Sequence, residues 1–155
     1  MKRIEEFQQE AIALLQKLIS TPSHSGEEDQ TAVHIKAWLE SHGVACKQEK
    51  NNIYAINKYE DPSKPYLLLN SHHDTVHANS GYTRNPHDAI IEDGKLYGLG
   101  SNDAGGALVC LLATFVYFYE QENMAYNLVV AATAEEEISG LNGLNSLLKI
   151  LPPID

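Results

Sequence analysis

The run Leu67-Leu68-Leu69-Asn70-Ser71 ends abruptly in His72-His73-Asp74, and few arrangements accommodate both halves. Uninterrupted apolar residues over so short a length read as a strand covered on both faces, and such strands belong mostly to parallel sheets flanked by helices. A second run of the same character, Leu128 to Thr133, is followed by Glu135-Glu136-Glu137. Between them, Ala107 to Tyr119 is apolar over thirteen residues; a membrane span needs about 20, so this stretch reads as a buried helix. Strand, helix, strand in that order forms a right-handed crossover, which makes the two strands parallel. The expected fold class is α/β, a three-layer α/β/α arrangement with a mostly parallel central sheet and its active site at the strand carboxyl ends.

The rest of the chain fits around that unit. Ile4, Phe7, Ala11, Leu14, Leu15 and Leu18 recur at three- and four-residue spacing and predict a helix over residues 3–20, stopped by Thr21-Pro22. Ser25 with Glu28 three residues later is a capping-box pattern ahead of a second helix that carries Ala32, Ile35, Trp38 and Leu39 and closes at Gly43. Residues 44–49 and 53–57 read as a hairpin-like pair of strands around Asn51-Asn52, residues 77–93 as an irregular loop, and Leu144 to Ile150 as a last short helix. His24, His34 and His42 have no ligand neighbour at usable spacing and read as surface or locally hydrogen-bonded groups.

With 155 residues, 43% of them hydrophobic, the chain can bury a core as one domain. Its 21 acidic against 11 basic side chains, net charge −10, argue against nucleic acid or an anionic membrane as partner. Cys46 and Cys110 form no paired-ligand spacing, which points away from a disulfide framework. Met1-Lys2-Arg3 is basic but has no apolar core behind it, so no signal peptide is expected and the expected location is the cytoplasm.

The chemistry-bearing residues converge in this topology. His72 follows the first strand, Glu136 and Glu137 follow the second, and Asp103 lies in the glycine-rich loop that enters the helix between them. In an extended segment residues two apart share a side, so Asp74 can reach and orient the imidazole of His72. Clustered carboxylates repel one another unless protons or cations neutralise them, which raises the pKa of at least one or recruits a divalent metal. One imidazole with several carboxylates suits zinc, with cobalt or manganese as alternatives.

His72-x-Asp74-Thr75-Val76, the loop Gly98-x-Gly100-x-x-Asp103-x-x-Gly106, and Thr133-Ala134-Glu135-Glu136-Glu137 together resemble the three N-terminal motifs of the dinuclear zinc aminoacylase and carboxypeptidase family. The resemblance spans essentially the whole chain and is nearest to the acetylornithine deacetylases of that family. It implies two zinc ions (or cobalt or manganese) per complete site, with His72 on one, Glu137 on the other and Asp103 bridging them. Glu136 is then the general acid/base and Asp74 the residue that orients His72. It further implies a cis peptide bond after Asp103, hydrolysis of a small N-acyl amino acid or short peptide, and a homodimeric complete enzyme. Ser71 stands where the family commonly has Gly, and Glu135 where Asp is common. Family members complete the site with a further carboxylate and histidine and carry a dimerisation and lid domain. Residues 1–155 are thus expected to be the N-terminal part of a catalytic domain, inactive alone.

Two other readings compete. A dipeptidase or carboxypeptidase would use the same metal chemistry, and a non-catalytic domain could retain the fold. A dinucleotide-binding reading of the glycine loop is weak, because Asp103 stands where the third glycine would be and would repel phosphate.

Overall fold

The computed structural model describes residues 4–154. The expected helix start at residue 3 and the reading of Met1-Lys2-Arg3 lie outside them. Helix α1 (Ile4–Ile19) buries Ala11, Leu14, Leu15, Leu18 and Ile19, the predicted stripe from Ala11 onward, while Ile4 at its start is exposed and Phe7 half-buried. Helix α2 (Asp29–Ser41) buries Thr31, Ala32, Ile35 and Leu39. Strands β1 (Lys47–Glu49) and β2 (Asn52–Ile56) form the expected antiparallel hairpin, with Lys50 at φ 55° in its turn. Cys46 falls just before β1.

Strand β3 (Tyr66–His72) and strand β6 (Asn127–Thr133) are parallel and paired over their whole length, from Tyr66 opposite Asn127 to His72 opposite Thr133. Both strands therefore end level, and the segments that follow them leave from one edge. The sheet order is β1-β2-β6-β3. Of its three ladders only β3 to β6 is parallel; β1–β2 and β2–β6 are antiparallel. The mostly parallel sheet expected from sequence is a mixed one among the described residues. The link from β2 to β3 carries no helix, so it reverses the chain where a crossover would have preserved its direction.

Alternation along β6 sorts the core. Leu128, Val130 and Ala132 face the layer of α1, α2 and α3 (Gly106–Phe118) with Ile53 and Ala55. Val129 and Ala131 face the opposite side with Tyr66, Leu147 of α4 (Leu144–Leu147) and Leu151. Helices on both faces make the three layers, and every residue of β6 is buried. Each Val or Leu removed from water there contributes about 1.5–3 kcal/mol before entropy is counted.

Helix α3 (Gly106–Phe118) buries Leu108, Val109, Leu112 and Phe115, while Cys110, Tyr117 and Phe118 are exposed. It is covered on one side only, not throughout as the apolar run suggests. Ser101–Phe118 is long and apolar enough by composition to cross a membrane, yet its inner side packs on the sheet as a core helix. The segment expected to be irregular also holds structure: β4 (Ile90–Glu92) and β5 (Lys95–Tyr97) pair as a hairpin. Asp93 and Gly94 turn it with φ 50° and 73°, the two positive values that a two-residue type I′ turn requires.

Candidate metal centre

His72, the last residue of β3, is buried, and its ring is held from both ends. Nδ1 lies 3.3 Å from Asp74 Oδ1 and 3.1 Å from the Asp74 carbonyl oxygen. Nε2 lies 3.1 Å from Asp103 Oδ1 and 3.6 Å from Glu136 Oε2. With Asp74 taking the Nδ1 proton, Nε2 is the atom turned toward the acids. One ligand atom each from His72, Asp103 and Glu137 all fall within 4.8 Å of one another. Donors about 2.0–2.1 Å from a tetrahedral ion stand about 3.3 Å apart, and the observed His72–Asp103 separation of 3.1 Å matches that span. The donor set therefore fits a divalent cation.

Asp74 does more than face His72. It is fully buried, and its Oδ1 accepts the backbone N–H of Glu136 while Oδ2 accepts the N–H of Glu137, both at 3.0 Å. Oδ2 also accepts the Ser25 hydroxyl at 2.7 Å. Burial works to raise its pKa, but the hydrogen bonds from His72, Ser25 and the two amides outweigh it and hold the carboxyl well below the usual range. The same carboxylate, through its hydrogen bond, pushes His72 up to about 9 against the opposing effect of burial, with Asp103 adding to the rise. Ser25 is thus committed to Asp74, and α2 has Glu28 at its cap position with no side-chain cap bond, contrary to the expected capping box.

The three consecutive glutamates divide. Glu135 sits at φ 55° and turns away from the acids, its carboxylate accepting the backbone N–H of Asn142 at 3.1 Å and the Asn142 side chain at 2.7 Å. A Cβ at Gly140 would fall 2.1 Å from Glu135 Oε2 and 2.5 Å from its Cβ, so the backbone at 140 passes where no side chain fits. Glu136 and Glu137 point to the His72 side. Burial and then the charge of Asp103 raise the Glu137 pKa, as the crowding of acids predicts.

Asp103 comes from an irregular π-type turn, Ser101–Gly105, with φ −119° and ψ 98°, and the Asp103–Ala104 peptide bond is cis. Gly100, at φ 75°, lets this turn lie against the end of β3: a Cβ there would meet Thr75 Cγ2 at 2.7 Å. The Asp103 side chain is 77% exposed and that of Glu136 61%, so the centre is open to solvent above a buried histidine.

His73 had no expected role. It is buried, with Nδ1 2.8 Å from the Thr31 hydroxyl and Nε2 3.0 Å from the Asn51 carbonyl oxygen, tying α2 and the β1–β2 turn to the end of β3. Burial lowers its pKa, so the neutral ring donates from Nε2 and accepts at Nδ1. His42 bonds locally to the Trp38 carbonyl oxygen at 2.7 Å, as expected, but also reaches across to Glu10 of α1 at 2.8 Å. His24 lies against His77, with ring centroids 3.8 Å apart and the planes tilted by 36°.

The sequence profile of peptidase family M20/M25/M40 matches residues 68–154. The chain is 26% identical over 147 residues to a succinyl-diaminopimelate desuccinylase of Sulfurovum sp. (strain NBC37-1), covering 93% of this chain and 38% of that protein. It is 29% identical over 141 residues to an acetylornithine deacetylase of Edwardsiella ictaluri (strain 93-146), covering 83% and 36%. An M20 family metallo-carboxypeptidase from Sulfolobus solfataricus superposes with TM-score 0.74 at 26% identity, over 90% of this chain and 33% of that one. The chain spans between a third and two fifths of the length of these relatives.

Proposed function

We propose, on the premise that this chain belongs to peptidase family M20/M25/M40, that residues 1–155 form the N-terminal part of the catalytic domain of a metal-dependent amide hydrolase. One observation carries the reading: His72, Asp103 and Glu137 bring their ligand atoms within 4.8 Å of one another where the parallel strands β3 and β6 end, with Glu136 beside them. His72 would hold one zinc ion, Glu137 a second, and Asp103 both, with cobalt or manganese as substitutes.

When bound, the ions supply Lewis acidity at the scissile carbonyl and lower the pKa of the attacking water. This chain's residues do the positioning and the proton transfer. Asp74 fixes the His72 ring and the backbone of the acid segment at once. Glu136, close to Nε2 of His72 and open to solvent, takes a proton from water and returns it to the leaving nitrogen. The substrate we assign is a small N-acyl amino acid, with a dipeptide or peptide C-terminus as the alternative, because the relatives named above include a desuccinylase, a deacetylase and a carboxypeptidase. The complete enzyme would be a cytoplasmic homodimer.

The trio leaves two protein ligands per ion, whereas a catalytic zinc takes three and keeps one position open. Residues 1–155 alone should therefore show no deacylase or peptidase turnover with zinc or cobalt added. In the complete enzyme, N-acetyl and N-succinyl amino acids should be hydrolysed in a metal-dependent way, and His72→Ala should abolish metal uptake measured by equilibrium dialysis. Undiminished uptake in His72→Ala would overturn the reading.

A further inference from the structure

The segment that carries Glu136 and Glu137 has an unusual support. Four consecutive backbone N–H groups leaving β6 are each accepted by a side-chain oxygen from elsewhere in the chain. Asn52 Oδ1 takes that of Ala134 at 3.0 Å, Glu28 Oε1 that of Glu135 at 3.1 Å, and Asp74 those of Glu136 and Glu137. Asp74 is accounted for by His72, but Glu28 touches none of the acids of the centre. It is fully buried at the start of α2, and its carboxylate is filled by donors: Gly26 N–H at 2.6 Å and Glu135 N–H on Oε1, Asn51 Nδ2 at 2.9 Å on Oε2. A carboxylate taken wholly out of water is costly unless its oxygens are satisfied, and these donors come from three separate pieces of chain. A buried leucine would have filled the same space without needing any of them.

We infer that Glu28 is a positioning residue of the centre: through the Glu135 amide it sets the backbone from which Glu136 and Glu137 reach His72. The geometry has a direct reason. Glu135 adopts φ 55°, an uncommon conformation for a residue with a side chain, and this left-handed residue is the one that aims the next two side chains back over the strand end. Glu28 and the Asn142 contacts grip Glu135 from its two ends, the amide and the carboxylate. Asn52, also fully buried, secures the preceding amide and ties the same segment to the β1–β2 turn through Glu49. The metal part of this inference rests on the hydrolase reading above; the positional part does not.

The test uses the full chain and separates the two. Glu28→Met keeps the volume and removes both acceptors; Glu28→Asp keeps the charge but draws it back from Glu135, and is the second variant if the first does not fold; Glu28→Gln keeps an acceptor on Oε1. Leu112→Ala, in the core and far along α3, is the control for lost stability. Amide hydrogen exchange of the metal-free proteins should show about tenfold or greater loss of protection at Glu135, Glu136 and Glu137 in the Met and Asp variants, with Leu128 to Ala132 unchanged. Glu28→Gln should stay within about threefold of the parent. Affinity for cobalt(II), read from its visible absorption, should fall by about 10-fold or more in Met and Asp, recover in Gln, and be unmoved in Leu112→Ala. Unchanged exchange at Glu136 and Glu137, or a loss spread equally over β6, would overturn the inference. A parent that takes up no cobalt would instead strike the metal reading, and exchange would still decide the role of Glu28.

Discussion

The floor and the rim of the centre are built on opposite terms. On the floor, His72, His73 and Asp74 are buried, and every ring nitrogen and carboxylate oxygen has a partner, most of them from another part of the chain. On the rim, Asp103 and Glu136 stand mostly in solvent and meet the rest of the site through His72. A fully satisfied buried network is rigid and costly to break, while exposed acids are cheap to change and free to react. The difference teaches where stability and chemistry separate in this protein: the floor should govern folding as well as the His72 ligand, while the rim, Asp103 included, should govern metal and chemistry with little effect on folding.

Asp74→Ala should have the largest effect. It strands two amides, a hydroxyl and an imidazole at once, and should cost about 3 kcal/mol or more in urea unfolding while also removing metal. A loss of metal without a loss of stability would break the comparison on the floor side. Glu136→Gln should leave the unfolding free energy within about 0.5 kcal/mol and metal content intact, yet lower turnover of the complete enzyme about 10²-fold or more. Activity surviving under saturating substrate would take the proton-transfer role from Glu136.

Proton competition sharpens the boundary between the two regions. His72 titrates near 9 in the folded chain against 6.5 for the free side chain, so its imidazolium stabilises fully below about 6.5 and that contribution is lost as pH rises through about 9. Glu137, raised, also loses stabilising weight as pH rises. Asp74 runs the other way, contributing above its ordinary value of 3.8 and losing it only in strong acid. The thermal midpoint of the metal-free chain should therefore fall from pH 6.5 toward 9, and added zinc should offset the fall. Because an ion must displace the Nε2 proton, cobalt affinity should rise about tenfold per pH unit up to about 9; a flat profile would exclude His72 as ligand. The smallest effect is expected from Ser25→Ala, about 1 kcal/mol, because Asp74 keeps its other donors.

What the sequence disclosed and what it hid follow the same division. His72, Asp103 and the glutamates were legible because each stands at the end of an apolar run or in a glycine-rich loop, and level strand ends bring such points together. Glu28 and Asn52 were legible only in local roles, a capping box and a turn, because the reach of a buried side chain to a distant amide leaves no period and no spacing in the chain. The capping-box pattern at Ser25 was misleading for that reason: its hydroxyl found a buried carboxylate 49 residues away. The β4–β5 hairpin did carry a signal, Asp93-Gly94 between two short runs, which was submerged in an exposed segment with no hydrophobic alternation. The mostly parallel sheet was expected from β3 and β6 alone, and the link that sets β2 antiparallel to β6 carries no signal of direction in the sequence.

The close passage of Gly140 past Glu135 also bears on how this sequence can drift. The obstacle is the Glu135 Cβ as much as its carboxylate, so exchanging Glu135 for the shorter Asp would not open position 140 to alanine. Position 140 stays closed to every side chain for as long as anything but glycine stands at 135, whatever substrate the enzyme comes to prefer. Of three identical neighbours, then, two turn toward His72 and one is held by the loop around Asn142. A change at Glu135 registers first in Asn142 and the turn around it, and a lineage exploring new specificity would find that glutamate expensive to alter for reasons unrelated to specificity.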